Sequence, residues 1–579
     1  MNTDPQRMEK IVSLCKRRGF IFQSSEIYGG LNGCWDYGPL GVELKRNVKD
    51  YWWRTMVHER DDVVGMDGAI LMSRGVWKAS GHEQTFSDPM VDCLVTKKRF
   101  RADQIQPQSG IIHYYHGARG RMPDDHANKI LQDEVYPMLR ELVDIDVTHF
   151  LDDLRSFHRA GHDWPDAIVA ACDKWPATAD YREHIENCLS PNSSIVFSVL
   201  LPAGKPSESA LKTAKLFYEQ RGVLEPEPIL SHTEKAQDTT RYNPENGSLL
   251  TEPRAFNLMF KTFIGATEDE NAVTYLRPET AQSIFVQFKN VLDTARKKLP
   301  FGIAQIGKAF RNEINPRNYI FRSREFEQME LEYFCRAEEG MKWLEYWKDE
   351  RLEFYENIGL PREKLHVLTV PDADRAFYSK GTYDIEYDFP FGRQELEGVA
   401  YRTDYDLRQH QEASGKPLDY FDEETKQRFI PHVVEPSAGV DRTVLALLCE
   451  AYDEETVTDE KGKSETRIVM RFHPRIAPVK VGVFPLLKNN EQLVAKAREI
   501  IATLRPYMNV FYDETGAIGR RYRRQDEAGT PFGVTVDFET LGEKDQALLD
   551  TVTLRERDSM KQERVKIGDL LQLLLARVS

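Results

Sequence analysis

Between Phe310 and Phe334 the chain reads FRNEINPRNYIFRSREFEQMELEYF, with arginines and glutamates set among residues suited to burial. Charges of both signs are costly in an interior unless something charged lies between them. Read as one strand over 321–334, the side chains alternate between two faces. One face carries Arg322, Arg324, Phe326, Gln328, Glu330 and Glu332; the other carries Phe321, Ser323, Glu325, Glu327, Met329, Leu331 and Tyr333. Met329, Leu331 and Tyr333 pack on a core in this reading, and Arg322, Arg324, Gln328 and Glu330 line the opposite side. Guanidinium forks suit phosphate and carboxylates suit an ammonium. A ligand bearing both groups satisfies the row; a solvated sheet face with cross-strand ion pairs satisfies it equally well. The preceding run, FGIAQIGKAF, reads as a strand ending at Arg311. Residues 312–320, with Asn-Pro inside, read as the loop between two antiparallel strands.

At 579 residues the chain is too long for a single core. No apolar run reaches membrane-spanning length, and the first twenty residues lack the apolar stretch of a secretion signal, so the expectation is a cytoplasmic protein with no membrane partner. Seven cysteines, at 15, 34, 93, 172, 188, 335 and 449, form neither a disulfide framework nor a zinc knuckle. The net charge of −15 argues against non-specific nucleic-acid binding but leaves room for a local basic patch. Four regions are legible: 1–102, rich in tryptophan, glycine and aspartate; 103–250, helical in pattern and then strand and loop; 251–474, with alternating strands and helices dense in charge; and 477–579, a compact α/β pattern. In the first region a helix begins at Gly38-Pro39, and Leu44, Val48, Tyr51 and Trp52 make one apolar stripe. That stripe serves either an interface or an internal core.

Two more segments carry candidate chemistry. In VVEPSAGVDRTVLALLCE, Val433 to Ser437 read as a strand with Glu435 and Ser437 on one face, followed by a helix with Val440, Val444, Leu447 and Leu448 at helical spacing. Gly439 leaves space for close approach of backbone or ligand. Arg442 in the first turns of a buried helix needs a partner, which is either Asp441 or a ligand. In TYLRPETAQSIFVQFKNVL, Glu279 stands where a strand meets a helix, and either caps that helix or faces a ligand.

Together these segments resemble the class II aminoacyl-tRNA synthetases. The strand-loop-strand containing Arg311 is similar to their motif 2, and GVDRTVLALL to motif 3. The ordered runs YGPLGVELK, WKASGH, RAD at 101–103, FNLMF, YLRPETAQ, FRNE, REFEQME, ELEG at 395–398 and EPSAGVDR resemble the homodimeric glycyl-tRNA synthetase family. The resemblance implies an α+β fold: a class II antiparallel sheet flanked by helices, an inserted helical subdomain, and a C-terminal α/β anticodon-binding domain. It assigns residues 1–102 to the N-terminal part of the catalytic domain with the motif 1 dimer interface, 103–250 to the insertion, 251–474 to the catalytic core and 477–579 to anticodon binding. It implies a glycine–tRNA ligase that forms glycyl-adenylate from glycine and ATP and passes glycine to the 3′ end of tRNA(Gly). The implied partners are ATP, Mg2+, glycine, tRNA(Gly) and a second copy of the chain.

The resemblance also implies roles for residues. Arg311, Arg442 and Glu395 would be catalytic, with Arg311 on the α-phosphate, Arg442 on the far phosphates and Glu395 holding magnesium. Asn312, Glu313, Phe321, Arg322, Ser323, Arg324, Glu325, Phe326, Leu396, Gly439, Val440 and Asp441 would complete the ATP site, with Phe326 stacked on adenine. Arg101, Glu279, Phe326, Gln328, Glu330, Glu435, Ser437 and Gly439 would bind glycine. Arg520, Arg521, Arg523 and Arg524, interleaved with Tyr522, would meet tRNA, although such a cluster is as often a solvated helix start. The chain departs from the family in two places. Ser283 stands where relatives often have glycine, and Cys93 lacks the cysteine partners many relatives carry, so no structural zinc is expected. An alternative function is a synthetase-like accessory protein that binds nucleic acid without catalysis; the retention of Arg311, Glu313, Glu395 and Arg442 argues for the enzyme.

Overall fold

The computed structural model describes residues 4–121, 123–141, 145–162, 164–189, 195–458, 464–543 and 545–578. The chain divides into two units, Met1–Phe86 with Asn257–Ser579, and Ser87–Phe256.

The first unit is built on a seven-stranded sheet. The sheet and the helices that pack on it are, in chain order, α1 (Pro39–Trp53), β1 (Val63–Gly65), α2 (Ala281–Ala295), β2 (Phe301–Phe310), β3 (Glu325–Cys335), α3 (Gly340–Asn357), β4 (Leu365–Thr369), β5 (Gly381–Phe389), β6 (Gly392–Thr403), α4 (Tyr405–Ser414), β7 (His432–Gly439) and α5 (Val440–Ala451). The strand order is β4-β5-β6-β7-β3-β2-β1, antiparallel throughout except for the short parallel edge of β1 on β2. The β2–β3 register pairs Phe310 with Glu325 and Phe301 with Phe334, so the loop from 311 to 324 joins two antiparallel strands.

The two faces of β3 meet different layers, as period-two alternation requires. Met329, Leu331 and Tyr333 are fully buried in the core formed with α1, α3 and α5. Each such side chain contributes roughly 1.5–3 kcal/mol by burial. On the other face Phe334 joins Phe301, Ile303 and Val433 under Ile284, Phe285 and Phe288 of α2. Gly38 precedes α1, Pro39 opens it, and Leu44, Val48 and Trp52 sink into the same core as Met329, so the stripe is internal. Strand β3 starts at Glu325, not at 321. Asn318 and Tyr319 have left-handed φ of 57° and 60°, and residues 319–321 form a short 3-10 turn, which takes Phe321 to Arg324 out of the strand alternation.

The first unit ends in a smaller α/β domain: β8 (Val481–Pro485), α6 (Glu491–Leu504), β9 (Val510–Tyr512), α7 (Ile518–Ala528), β10 (Phe532–Val536), β11 (Thr551–Glu556), β12 (Gln562–Lys566) and α8 (Ile567–Val578). Its sheet order is β9-β8-β10-β11-β12, with β8 parallel to both neighbours. Leu493, Ala497, Ile500 and Leu504 of α6 pack with Leu570 and Leu574 of α8 on Val481, Val483 and Val534.

The second unit contains a three-stranded antiparallel sheet of Gln108–Arg121, Val196–Leu201 and Leu224–Thr239, so the insertion is sheet as well as helix. Helix Glu208–Glu219 covers it with Ala210, Ala214 and Phe217. A separate helical cluster buries Phe150, Leu151, Leu154, Ile168 and Ile185. Residues 142–144 of the expected helical run, and 190–194 of the expected strand and loop, lie outside the described residues.

Candidate active site

On the α2 side of the sheet, β3, β6, β7 and the 311–324 loop enclose a cavity of about 200 Å³. Arg311, Glu313, Phe321, Arg322 and Ser323 come to it from the loop and its edges, and Phe326 and Gln328 from β3. Glu395 and Leu396 arrive from β6, Glu435, Ser437 and Gly439 from β7, and Asp441 and Arg442 from α5. These groups are distant in sequence and converge because β6, β7 and β3 are neighbours in the sheet.

One end is cationic. The Arg311 guanidinium lies 5.3 Å from the Phe326 ring centroid and 5.4 Å from that of Phe86, and its Nε donates to the Pro278 carbonyl at 3.1 Å. Arg442 lies 4.5 Å over the Phe321 ring, and its Nη1 is 3.1 Å from Glu395 Oε2. Asp441 is not its partner. That carboxylate turns to Lys45 at 2.9 Å, the Glu327 amide at 2.8 Å and the Tyr37 hydroxyl, tying α5 to α1 and β3. The backbone at Gly439 is extended, and a Cβ there would meet Arg442 Cγ at 3.5 Å, an ordinary contact; its absence leaves room beside the guanidinium. Arg442 holds the Glu395 carboxyl below its usual range. Nearby, burial together with Glu395 and Glu386 lifts Asp384 to about 7.

The other end is acidic and buried. Glu330 accepts from the Thr280 amide at 3.1 Å, from the Thr280 hydroxyl, and from Ser437 Oγ at 2.8 Å. Gln328 Nε2 donates to Ser437 Oγ at 3.4 Å. Glu279 does not cap α2; it accepts from Gln282 Nε2 at 2.9 Å and lies 3.4 Å from His82 Nε2. Arg402 donates to Asp406 at 2.8 and 2.9 Å and to Glu435 at 2.8 Å. Burial raises the Glu330 carboxyl and Glu279 adds to that effect, while burial lifts Glu435 to about 8 against the pull of Arg402. Burial alone would raise Glu279, but His82, Arg402 and Gln282 hold it well below the carboxylate range. The site therefore places guanidinium groups for an anion at one end and carboxylates for a cation at the other.

The structure separates the sequence candidates. Arg324 is a loop clamp, donating to the Asn32 carbonyl at 2.6 Å and the Glu313 carbonyl at 3.3 Å, because it precedes the strand and leaves the face assigned to it. Glu325 pairs with Lys308 on the outer face, and Glu327 pairs with Lys45 at 2.8 Å and Lys49 at 2.9 Å. Cross-strand and sheet-to-helix ion pairing thus explains the odd residues and not the even ones. Val440 is fully buried in the core, and the Asn312 amide bonds the Leu258 carbonyl; neither lines the cavity. Arg101 belongs to the second unit, where it pairs with Asp88 and Asp103 at 2.7 Å each. Ser283 lies in the first turn of α2 and donates to the Thr280 carbonyl at 2.8 Å, steadying the residue that holds Glu330. Cys93 Sγ lies 2.9 Å from Ser248 Oγ and accepts from the Thr96 amide at 3.3 Å.

The arginine cluster of the C-terminal domain divides by helical phase on α7. Arg521 is buried and donates to the Pro485 carbonyl and to Gly516 at 2.7 Å, and Tyr522 bonds Thr535 at 2.6 Å beneath it. Arg521 is thus turned into the domain, against the expectation that it faces outward with its neighbours. Arg524 pairs with Asp513 and donates to the Thr515 carbonyl at 2.7 Å, while Arg520 and Arg523 are exposed.

Sequence reasoning missed Arg402, His82, Thr280 and Gln282. Arg402 carried no local signal, because it stands near the end of β6 and its partners Asp406 and Glu435 belong to α4 and β7; His82 lay within the WKASGH run already singled out.

The chain matches the family model of the class II tRNA synthetase core domain (G, H, P, S and T) over residues 262–452, and that of an anticodon binding domain over 480–577. It is 42% identical to the glycine–tRNA ligase of Rhodopirellula baltica, covering 99% of each chain. It is 44% identical to that of Thermus thermophilus, again over 99% of each, and 44% identical to that of Clostridium perfringens, over 98% of this chain and 97% of the relative. The residues 311–313, 395–396 and 435–442 that build the cavity lie inside the matched core. The chain belongs to the class II aminoacyl-tRNA synthetases, in the glycine–tRNA ligase family.

Proposed function

We infer that this cavity joins glycine to ATP and that the chain then charges tRNA(Gly). The observation that carries the reading is the placement of Arg311 and Arg442 at one end of a cavity whose other end meets Glu435, Ser437 and, behind them, Glu330. The glycine ammonium is held by Glu330, Glu435 and Glu279, and its carboxylate faces the α-phosphorus. A carboxylate oxygen attacks phosphorus, the bond to the bridging oxygen of the β-phosphate breaks, and pyrophosphate leaves with that electron pair. Arg311 steadies charge on the α-phosphate and Arg442 on the leaving group, by orientation and fixed charge, with no protein nucleophile. Phe326, beside Arg311, gives the adenine a ring face.

Glu395, with Asp384 close by, supplies hard oxygen donors that fit a magnesium ion. When bound, that ion neutralises phosphate charge. No zinc enters the proposal. Glycine has no side chain, so the ammonium is its positive handle, and every larger amino acid overpacks the pocket; no editing domain is required. Arg520 and Arg523, both exposed, would meet tRNA phosphates in this reading. Exposed Ile27, Tyr28 and Leu31, which precede α1 in the chain, and Val42 on α1 support a homodimer. Among the described residues no helix is long and apolar enough to cross a membrane, and a cytoplasmic location is part of the proposal. ATP–pyrophosphate exchange across all amino acids tests the reading: glycine drives it, and a response to serine or alanine without glycine overturns it.

A further inference from the structure

Beneath the amine end of the cavity stands a carboxyl group that the chemistry above does not use. Glu332 lies two residues beyond Glu330 on the same face of β3. It is completely buried, and among the described residues neither of its oxygens has a hydrogen-bond partner. One oxygen each from Glu330, Glu332 and Glu435 lie within 4.8 Å of one another. Carboxylates this close and this deeply buried cannot all be ionised; they share protons. Glu330 has three donors from Thr280 and Ser437 that favour its charged form, and Glu435 has Arg402. Glu332 has none of these, which makes it the member of the cluster least able to carry charge.

We propose that Glu332 holds a proton while the amine pocket is empty and gives it up when the ammonium of glycine arrives, so that substrate capture is coupled to proton release. The inference rests on the functional reading above and assigns a positioning residue within the same site. The groups facing Glu332 are Glu330 from β3 itself, Glu435 from β7, Arg402 from β6 and Asp406 from α4, while β2 sets Ile303 opposite it. Arg402 is divided between Asp406 and Glu435 and cannot neutralise a third carboxylate as well. Burial and the Glu435 charge push the Glu332 carboxyl far above the ordinary range. On glycine binding the O–H bond of Glu332 breaks, the electron pair stays on the carboxylate oxygen, and the proton leaves to solvent. At the amine end one positive charge, the ammonium, replaces another, the proton, and the charge around these carboxylates is unchanged. The empty pocket thereby avoids stacking carboxylates without a cation, and the full acidic complement is present once the ammonium supplies one.

Two measurements on the full-length protein decide the matter. Calorimetric titration of glycine near pH 7, in phosphate and in Tris, should show about one proton released per glycine bound; no difference in heat between the buffers overturns the proposal. In ATP–pyrophosphate exchange between pH 6 and 8, the KM for glycine should fall about tenfold per pH unit while the KM for ATP stays level. Glu332→Gln, which has no proton to release, should flatten the glycine profile. A profile that keeps its slope in Glu332→Gln places the proton elsewhere and overturns the assignment. If that variant fails to fold, the wild-type calorimetry still decides whether glycine capture releases a proton, and the same pH profile in Glu332→Asp, which keeps a carboxyl, should retain the slope; a flat profile there overturns the assignment. Absence of any glycine-dependent exchange would remove the functional reading itself, whereas exchange without proton release removes this inference alone.

Discussion

Replacing Glu330 by glutamine changes the amine pocket by one charge and almost no volume. In the structure Oε2 accepts from both donors of Thr280, and Oε1 accepts from Ser437 Oγ. The glutamine carbonyl can keep the two Thr280 bonds, and its amide can donate to Ser437 Oγ, since a hydroxyl accepts as readily as it gives. The fold and the phosphate end are therefore preserved, and what is lost is the charge-assisted bond to the ammonium. Such bonds contribute about 1.5–3 kcal/mol, and about 1.4 kcal/mol is a factor of ten. The KM for glycine should rise about 10- to 150-fold in ATP–pyrophosphate exchange, with the KM for ATP within about twofold of wild type. If both constants rise in step, Glu330 acts on the site as a whole and not on the amine, and the partition of the cavity into two ends is wrong.

Three further outcomes follow from particular contacts. Arg442→Ala should lower exchange by about 100- to 1000-fold, the scale for removing one preorganised donor from a developing anion. Its side chain is 24% exposed, so thermal melting by circular dichroism should stay close to wild type, and an unfolded product would make Arg442 a structural residue. Arg521→Ala should destabilise the C-terminal domain by about 1–3 kcal/mol for each buried carbonyl left unpaired, whereas Arg520→Ala with Arg523→Ala should leave melting unchanged and weaken tRNA binding, with a shallower salt dependence; the reverse pattern would exchange their roles. Lys480, between the catalytic core and the C-terminal domain, donates to the Pro474 carbonyl at 3.0 Å and to Arg475 at 2.6 Å, and burial lowers it from 10.5 to about 7. The unfolded chain binds the extra proton between those values, so this residue makes the protein more stable as pH rises from 7 toward 10.5. The stability difference between wild type and Lys480→Met, followed by melting temperature, should move in favour of wild type over that range; a constant difference would mean that Lys480 is charged when folded.

The local rules of strands carried far in this sequence. Period-two alternation separated Met329, Leu331 and Tyr333 from Gln328 and Glu330, and the structure keeps that separation across the sheet. The start of helix α1 at Gly38-Pro39 was equally legible, because its signals lie in adjacent residues. Extending the same alternation to 321–324 failed, since two left-handed residues and a 3-10 turn intervene, and this put Arg324 on the wrong face. On α7 the residues one and four places beyond Arg520 turn inward to backbone carbonyls and Asp513, a phase set by packing on β8 that composition does not reveal. Arg402 and His82 were hidden for a different reason: their partners lie on other elements, and only sheet order and helix docking bring them to Glu435 and Glu279. Asp441 looked like the natural neighbour of Arg442, yet in a helix adjacent residues point in different directions, and the two serve different layers.

A crystal structure with glycine and a non-hydrolysable ATP analogue bound together tests the central claim most directly. The account places the ammonium nitrogen within hydrogen-bond distance of Glu330 or Glu435, and phosphate oxygens on Arg311 and Arg442, with the glycine carboxylate facing the α-phosphorus. Glycine and nucleotide in separate cavities, or an ammonium remote from these glutamates, would contradict it.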